Sequence, residues 1–339
     1  MESTIAYEEM RQLATRVFMR HGVPADEANI TSEVLVEANA RGHDSHGVIR
    51  IPKWIEGISS GAIKSRFLPR ALNDCSSAIW LDGGQCLGPV VAEYACHLAV
   101  RQARDYGIAM VSVKNASHIG MLGFYAELMA RSGCIGIIAT NTESGVAPHG
   151  SAEKVFGTNP LAIGCPTLSG PVFLDMSTSV VARGKVVLAQ RAGAAIPEGW
   201  AVDSRGQPTT DPNQALAGAL LPVGGPKGSG LSFFVDILCG ALSGTAVGKD
   251  VRGTFDMRQS GSKGDIFIAI DPEKIGGIDR FTGLAQHLVD QVRQSTPAVG
   301  CDRVLVPGEY EMNFRKQRME NGIPLASDLI SELKALAGE

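Results

Sequence analysis

Hydrophobic positions at the start of the chain recur at the spacing of an α-helix. Positions 10, 13, 14, 17 and 18 are apolar and the run ends at Gly22, which predicts an amphipathic helix. A second stripe occupies positions 30, 34, 35 and 38 and ends at Gly42. It follows Pro24 and two acidic residues, which are typical of a first helical turn. Residues 5–60 are therefore predicted to be mostly helical.

Beyond about residue 70 the pattern alternates between short apolar runs and helical stretches. The apolar runs, which predict strands, lie at 78–81, 109–113, 135–139, 161–164, 172–174 and 266–270. Helical spacing recurs at 90–106, 122–131, 180–190, 231–242 and 281–293. This alternation favours an α/β or α+β body of about 240 residues.

Three further segments carry specific expectations. The apolar stretch 231–247 is interrupted by Asp236, Gly240 and Gly244, so we interpret it as a buried helix and not as a membrane span. The polar, glycine-dotted residues 248–263 predict a surface loop. Residues 324–339 predict one more helix.

Composition narrows the class of protein. A length of 339 residues suggests about two domains. The formal net charge of −4 argues against a nucleic-acid binder and against a polybasic membrane-surface protein. Seven cysteines without a C-x-x-C pair indicate buried free thiols in a reducing compartment. The N-terminus lacks the features of a signal peptide, so we expect a soluble cytoplasmic protein. We also expect no metal site.

A polar cluster at 43–50 is the first candidate site. Ser45 and His46 follow a carboxylate, and Arg50 lies four residues beyond His46. If the segment is helical, His46 and Arg50 are neighbours. An imidazole beside a guanidinium suits a small hydroxy or keto acid, because arginine binds a carboxylate through two parallel hydrogen bonds. A solvated helix cap is the alternative interpretation.

His118 is the second candidate. It follows the predicted strand 109–113 and precedes a predicted helix, and ligands of α/β folds gather at the carboxyl ends of strands. The positive end of a helix favours the neutral imidazole, which is a competent general base near pH 7. The alternative is a histidine whose hydrogen bonds are satisfied within a turn.

Polar loops beside three predicted strands form the third group. Thr142 follows residues 135–139, Thr158 precedes residues 161–164, and Asp175, Met176 and Ser177 follow residues 172–174. Hydroxyls, amides and a carboxylate at strand ends suit contacts to a ribose or an amide. Any one of these loops alone is more simply explained as a turn.

Glycine-rich segments form the fourth group. Lys227 and Gly228 lie in G-G-P-K-G-S-G (224–230), which leads into a predicted helix. Free backbone N–H groups, a helix start and a lysine suit a phosphate, although a flexible loop with a helix cap is the simpler explanation. Gly308 and Glu309 end the segment V-P-G-E (306–309), which taken alone predicts only a turn.

The sequence lacks the G-x-G-x-x-G dinucleotide fingerprint and the P-loop motif. Its motifs, taken together and in order, resemble the malate/L-lactate dehydrogenase type 2 family, which also includes sulfolactate and ureidoglycolate dehydrogenases and Δ1-piperideine-2-carboxylate reductase. The matching segments are D-S-H-G-V-I-R (44–50), N-A-S-H-I-G (115–120), F-G-T-N-P (156–160), L-D-M-S-T-S-V-V-A-R-G-K-V (174–186), P-E-G-W-A-V-D (197–203), G-G-P-K-G (224–228) and V-P-G-E (306–309).

The resemblance implies a homodimeric oxidoreductase that uses NAD or NADP and has a non-Rossmann α/β (α+β) fold with a mixed sheet. Residues 1–65 and 310–339 would form a helical domain, and residues 66–309 the cofactor-binding and catalytic body. His118 and His46 take the catalytic positions, with His118 as general acid/base, while Ser45 and Arg50 bind substrate. The family's cofactor positions fall on Thr142, Thr158, Asp175, Met176, Ser177, Lys227, Gly228, Gly308 and Glu309.

The resemblance leaves the substrate open between two classes. A small 2-hydroxy or 2-oxo acid of the malate, lactate or sulfolactate type is the first, and a cyclic imine acid is the second. Lys185 stands where the imine reductases carry an acidic residue, and I-G-M-L-G (119–123) follows His118 where those reductases carry bulkier residues, so the resemblance favours the hydroxy-acid branch. A hydrolase that uses Ser45 and His46, and a nucleotide-binding protein without catalysis, are the remaining hypotheses.

Overall fold

The structure, a computed structural model, describes residues 2–254 and 256–339. Its strands are β1 (Glu2–Ile5), β2 (Arg70–Ala71), β3 (Ala78–Cys86), β4 (Ile108–Ala116), β5 (Ile135–Thr140), β6 (Leu161–Cys165), β7 (Val172–Met176), β8 (Ala201–Val202), β9 (Pro208–Thr209), β10 (Ala219–Leu220), β11 (Gly264–Ile270) and β12 (Ile323–Ala326). All six predicted strands are present, within a few residues of their predicted ends.

The α-helices cover both chain ends and alternate with the strands between them. They are α1 (Tyr7–Arg20), α2 (Ala25–Ala40), α3 (Ile51–Ser59), α4 (Gly88–Tyr106), α5 (Leu122–Arg131), α6 (Arg183–Ala192), α7 (Pro212–Ala217), α8 (Pro226–Asp236), α9 (Pro272–Gly276), α10 (Ile278–Gln294), α11 (Glu309–Asn321) and α12 (Ser327–Ala337). The predicted N-terminal stripe is confirmed, because Met10, Leu13, Val17 and Phe18 are buried on α1.

The central sheet has seven strands in the order β2-β3-β4-β11-β5-β6-β7. Only β3 and β4 are parallel neighbours, and every other adjacent pair is antiparallel. The predicted mixed sheet is therefore confirmed. Two smaller antiparallel sheets accompany it, with the orders β10-β8-β9 and β1-β12.

This topology brings most of the candidate loops to one end of the strands. Strands β4 and β5 both run antiparallel to β11, so their carboxyl ends lie on the same side. Strand β6 begins there and β7 ends there, because each is antiparallel to its neighbour. His118, Thr142, Thr158 and Ser177 each lie within three residues of one of these strand ends. The residue before β11, Lys263, joins them.

Buried ion pairs connect the terminal helices to the rest of the chain. Arg41, just after α2, contacts Glu37 at 2.9 Å and Glu127 of α5 at 2.6 Å, and all three side chains are about 95% buried. Arg315 of α11 reaches the same Glu37 at 2.8 Å. A buried charge needs such partners, since leaving one unpaired is strongly destabilising. The division into two domains stays a prediction.

Three sequence predictions need correction. Residues 324–339 are not one helix, because β12 pairs with β1 before α12 begins. The helix predicted over 180–190 begins only at Arg183, after an extended Ala182. Residues 248–263 are not simply a surface loop, because Thr254, Met257 and Lys263 are buried. The polar residues of that segment indicated exposure, so hydropathy alone did not predict this burial.

The apolar stretch 231–247, predicted to be a buried helix, is exposed along one face. It consists of α8 and a π-helical turn at Ile237–Ala241. Val235 and Cys239 pack against the sheet, whereas the opposite face is open: Leu231, Phe233, Phe234, Ile237, Leu238 and Leu242 are each 40–63% exposed. Among the described residues, no helix is both long and apolar enough to span a membrane.

Candidate active site

Two histidines that are 72 positions apart in the sequence meet in the structure. The ring centroids of His46 and His118 lie 5.5 Å apart, and the Trp54 ring lies 6.3 Å from that of His118. Trp54 is fully buried and His118 is 9% exposed. The indole Nε1–H of Trp54 has no hydrogen-bond partner among the described residues. The two predicted catalytic side chains therefore lie side by side, with His118 nearly buried against Trp54.

Arg50 and Ser45 border the same pocket. Two short 3-10 turns, Asp44–His46 and Val48–Arg50, are separated at Gly47, so the segment is not the continuous helix considered from the sequence. The turn geometry lets Arg50 Nε donate to the Ser45 carbonyl at 2.8 Å. The Ser45 hydroxyl lies 3.0 Å from His46 Nδ1. The backbone of Ser45 thus fixes the arginine while its side chain contacts the imidazole.

Gly47 has a packing reason of its own. A Cβ atom there would lie 2.1 Å from Asn39 Oδ1. Asn39 Oδ1 accepts the Val48 N–H at 2.8 Å, and Asn39 Nδ2 donates to Asp44. Asn39 of α2 therefore holds both sides of the turn that presents His46 and Arg50.

Burial and positive charge keep both imidazoles neutral. Burial lowers the pKa of His46 to about 3, assisted by the charges of Arg50 and His43. Burial also lowers the pKa of His118 well below its ordinary value, with Arg50, His46 and Lys263 adding to the effect. Because the Arg50 guanidinium lies near both rings, the site is suited to bind an anion.

The hydrogen bonds of His118 define its resting tautomer. The Gly120 N–H donates to His118 Nδ1 at 2.9 Å. An acceptor Nδ1 places the proton of the neutral ring on Nε2. The resting ring can therefore donate a hydrogen bond from Nε2 to a substrate oxygen.

The predicted hydroxyl positions form a second group. Thr142 Oγ1 accepts the Thr158 N–H at 3.0 Å and lies 3.4 Å from Thr158 Oγ1. Thr178 donates to the Thr158 carbonyl at 3.0 Å, which joins the loop after β7 to this group. Ser177 Oγ donates to the Ser179 carbonyl at 3.1 Å. The structure thus brings Thr142 and Thr158 into contact and links Ser177 to them through the next residue.

A buried amide and carboxylate network supports these hydroxyls. Asn159 Oδ1 accepts the Thr142 N–H at 3.1 Å, and Asn159 Nδ2 donates to Asp236 Oδ2 at 2.8 Å. Asn141 Nδ2 donates to the other Asp236 oxygen at 2.9 Å. All three side chains are at least 95% buried. Asp236 of α8 therefore holds in place both the loop that carries Thr142 and the loop that carries Thr158.

Asp175 occupies a different part of the sheet end. Its Oδ2 accepts the Gly123 N–H of α5 at 2.7 Å, so it ties β7 to the helix that follows His118. Burial raises the pKa of Asp175, although the Gly123 hydrogen bond and the His43 charge oppose that rise. Met176 lies next to it at the end of β7, half-buried. The Gly123 hydrogen bond therefore holds one oxygen of the carboxyl group in place.

The two glycine segments lie at helix starts. Gly224 and Gly225 have positive φ angles and lead into α8, where a Cβ on Gly228 would lie 2.1 Å from the Val223 carbonyl. Lys227 is exposed at that helix start. A positive helix end with a lysine suits a phosphate.

Gly308 lies against Phe173 of β7 and precedes Glu309, the first residue of α11. Gly308 has a φ of +90°, and a Cβ there would lie 3.0 Å from the Phe173 ring of β7. Glu309 accepts the Val306 N–H at 2.7 Å and pairs with Arg293 at 2.8 Å. The predicted turn is present, and Glu309 begins α11. Its carboxylate contacts Val306 and Arg293.

The sequence analysis missed three polar residues near the site. Lys263 and Asp265 form a hydrogen-bonded ion pair that is 99% buried beside the strand that leads to His118. Lys263 was assigned to a surface loop, and Asp236 appeared only as an interruption of an apolar stretch. For Asp236 and Asp265, a lone charge in or beside an apolar run was the available signal, since such charges are buried only when they have partners.

Comparison with known proteins finds relatives over nearly the whole chain. The model of the malate/L-lactate dehydrogenase family matches residues 5–334. The chain is 41% identical to the malate/(S)-sulfolactate dehydrogenase of Methanothermus fervidus over 335 residues, which cover 99% of this chain and 97% of the relative. It is 34% identical to the Δ1-pyrroline-2-carboxylate/Δ1-piperideine-2-carboxylate reductase of Pseudomonas putida over 341 residues, which cover 98% and 97% of the two chains.

A solved structure confirms the fold class. The sulfolactate dehydrogenase from Methanocaldococcus jannaschii superposes with a TM-score of 0.94 at 38% identity, covering 99% of this chain and 97% of that one. The relatives carry names of dehydrogenases or reductases of small hydroxy or imino acids. Dehydrogenases of this kind imply a nicotinamide cofactor.

Proposed function

Because this chain belongs to the malate/L-lactate dehydrogenase family and is therefore an oxidoreductase, we propose that it transfers a hydride between NAD or NADP and a small 2-hydroxy or 2-oxo acid. The substrate is of the malate, lactate or sulfolactate type. The observation that carries this proposal is the pocket in which the His118 and His46 rings lie 5.5 Å apart beside Arg50.

The residues at the sheet end fit a dinucleotide. The start of α8 offers Lys227 and backbone N–H groups to phosphates, and the hydroxyls of Thr142 and Thr158 suit a ribose. Asp175, with Met176 beside it, holds one carboxylate oxygen on Gly123 and presents the other. These residues would hold the cofactor, whose nicotinamide ring supplies or accepts the hydride.

Arg50 is proposed to bind the substrate carboxylate. Its Nε is fixed on the Ser45 carbonyl, so the two terminal nitrogens of the guanidinium are left for a paired contact. The bound carboxylate neutralises one of the charges that lower the pKa of His118. Substrate binding therefore raises the pKa of His118, so the ring is protonated more easily. His46, oriented by the Ser45 hydroxyl, is proposed to direct the substrate oxygens.

His118 is proposed to exchange the proton. In oxidation, Nε2 takes the hydroxyl proton as the carbon loses its hydride. In reduction, protonated His118 returns a proton from Nε2 to the carbonyl oxygen. In both directions the ring retains a proton on Nδ1. Before oxidation the resting ring therefore has to release its Nε2 proton to solvent and take one from solvent on Nδ1, and the Gly120 hydrogen bond is then given up.

A substrate panel tests this function. Purified enzyme is assayed with NADH and NADPH against 2-oxo acids and cyclic imine acids, and with NAD and NADP against 2-hydroxy acids, by following nicotinamide absorbance. The proposal predicts reversible turnover of at least one 2-hydroxy/2-oxo acid pair. If the enzyme turned over cyclic imine acids alone, its function would be imine reduction. Nucleotide binding without any turnover would indicate a binding protein.

A homodimer is proposed for the assembly. The open face of α8 and its π-helical turn presents Phe234 at 63% and Leu242 at 51% exposure. Contiguous apolar surface on a soluble chain is typical of an interface. A second copy is the occupant that we propose, because the resemblance of the motifs to this family implies a dimer.

A further inference from the structure

A buried ion pair lies beside the loop of His118 and has no part in the proton transfer proposed so far. Lys263 and Asp265 are each 99% buried and form a hydrogen-bonded pair at the start of β11. The second carboxylate oxygen of Asp265 has no partner among the described residues. A buried ion pair adds little stability over apolar residues of similar size, because desolvation offsets the attraction between the charges. Stability therefore does not by itself account for a lysine at position 263.

The segment that carries Lys263 runs against the loop that carries His118. Strand β11 pairs with β4 up to its first residue, Gly264. Just before it, a Cβ on Gly261 would lie 2.7 Å from the carbonyl oxygen of Ala116, the last residue of β4. The two backbones therefore stay in contact beyond the paired strands, up to two residues from each of the two side chains.

Gln85, the last residue but one of β3, fastens these two segments together. Its Nε2 donates to the Gly261 carbonyl at 2.9 Å and to Asn115 Oδ1 at 3.4 Å. Gln85 and Asn115 have positive φ angles of +61° and +56°, a backbone conformation that is unfavourable for residues other than glycine. Hydrogen bonds therefore hold the segment of Lys263 against the loop of His118 at a place where the backbone is strained.

The two ends of the ion pair act on different side chains. Burial lowers the pKa of His118, and Lys263 is one of the charges that add to this effect. Burial raises the pKa of Tyr125 in the core, and Asp265 is one of the charges that add to that rise. The Lys263 charge thus reaches the catalytic imidazole, whereas the Asp265 charge reaches into the core.

The other groups that act on His118 differ from Lys263. They are Arg50 and His46, both on the 3-10 turns. Helix α4 approaches His118 through a glycine and α3 through Trp54, and neither residue carries a charge. Burial keeps His46 neutral, and the substrate carboxylate is proposed to neutralise Arg50. Lys263 is paired inside the protein, so its effect on His118 is the same with and without substrate.

We propose that Lys263 is a positioning residue for the proton transfer: its buried ammonium group, held by Asp265, keeps the imidazole of His118 neutral, the form that accepts the hydroxyl proton. The proposal rests on the hydride-transfer function proposed above, in which His118 is the base. A nearby cation disfavours the imidazolium form. Removal of the Lys263 charge must therefore raise the pH at which His118 becomes protonated.

The test measures kcat/KM against pH for oxidation of a 2-hydroxy acid at saturating NAD or NADP. Lys263→Gln removes the cation but can still donate a hydrogen bond to Asp265, and Lys263→Met/Asp265→Asn removes both charges. Oxidation needs neutral His118, so kcat/KM falls on the acid side of its pKa, and this acid limb should move to higher pH in both variants. Below the limb, kcat/KM should fall about tenfold for each pH unit of the shift.

The controls separate an effect of charge from general damage. Circular dichroism and urea denaturation establish which variants are folded, and either folded variant decides the question. Lys263→Arg keeps the charge, so its acid limb should stay at the wild-type pH even if kcat falls. Lys249→Met/Glu153→Gln removes an exposed ion pair and should match the wild type throughout.

Two results would overturn this inference alone. One is a folded Lys263→Gln or double variant whose acid limb coincides with that of the wild type, whatever the height of its kcat/KM. The other is unfolding of both variants, which would assign the pair to stability. A wild type that oxidises no 2-hydroxy acid would overturn the hydride-transfer proposal instead.

Discussion

Replacing Asp236 by alanine tests the internal support of the site. The carboxylate accepts hydrogen bonds from Asn141 Nδ2 at 2.9 Å, Asn159 Nδ2 at 2.8 Å and the Gly248 N–H at 3.2 Å. Each amide keeps a second acceptor, the Ala246 carbonyl for Asn141 and a carbonyl of α8 for Asn159. The variant therefore strands one proton of each amide and leaves the Gly248 N–H without this acceptor.

The magnitude follows from those stranded groups. A buried donor without an acceptor costs about 1–3 kcal/mol, and two amides that keep one bond each lie at the lower end of that range. We expect Asp236→Ala to lower the free energy of unfolding by about 2–4 kcal/mol, a large part of the roughly 5–15 kcal/mol of a typical domain. Because Asn159 also orients Thr142, the KM for the nicotinamide cofactor should rise.

Urea denaturation, followed by fluorescence and circular dichroism, measures this change. Asp302→Ala, which removes an exposed carboxylate, is the matched control and should stay within about 0.5 kcal/mol of the wild type. If Asp236→Ala unfolded at the wild-type urea concentration, the network would contribute no net stability. The assignment of Asp236 as the support of both loops would then be wrong.

Three other changes have defined outcomes. Arg50→Lys should lower kcat/KM by about ten- to a hundredfold through loss of the paired carboxylate contact, and unchanged kinetics in an initial-rate assay would contradict this. Because the His46 pKa is about 3 in the folded state against an ordinary 6.5, the unfolded chain binds the extra proton between those values. The free energy of unfolding measured by urea titration should therefore fall as the pH drops below 6.5, by at most about 1.4 kcal/mol per pH unit for this group, and less steeply in His46→Gln. Phe234→Asp should convert a dimer to a 35.7 kDa monomer in light scattering. Leu168→Asp, at an exposed apolar residue outside α8, should leave the dimer intact.

The strands and the outer helices were predictable because their side chains repeat with the pleat or the helical turn. Helix α1 shows this, since every apolar position of its stripe is buried. Strand β12 was not predictable in this way. It is four residues long, it contains Pro324, and it forms only because β1, more than 300 positions away, lies beside it. Pairing over such a distance leaves no local pattern.

The chemistry of the site was predictable residue by residue, but its arrangement was not. The motifs around His46 and His118 were visible in the sequence, whereas their 5.5 Å ring separation depends on where α2, α3 and β4 pack. Lys263 was missed because polar neighbours surround it in the sequence, although the structure buries it against Asp265. Burial of a charge depends on tertiary partners, which hydropathy along the chain does not contain.

The exposed face of α8 marks a different limit. An apolar run such as 231–242 predicts burial without specifying what covers it. In the single chain, Val235 and Cys239 face the sheet while Phe234 and Leu238 face outward. Hydropathy alone does not distinguish a helix buried within its own chain from one that is covered by a second copy.

The role of His118 is tested most directly by pairing kinetics with cofactor binding in His118→Asn. Correctly placed general acid/base catalysis contributes about 10²–10⁴-fold. The variant should therefore lose at least a hundredfold in kcat for a 2-hydroxy acid that the wild type oxidises, while NADH fluorescence titration gives an unchanged dissociation constant. Near-normal turnover with intact cofactor binding would contradict the assignment of the proton-transfer step to this imidazole.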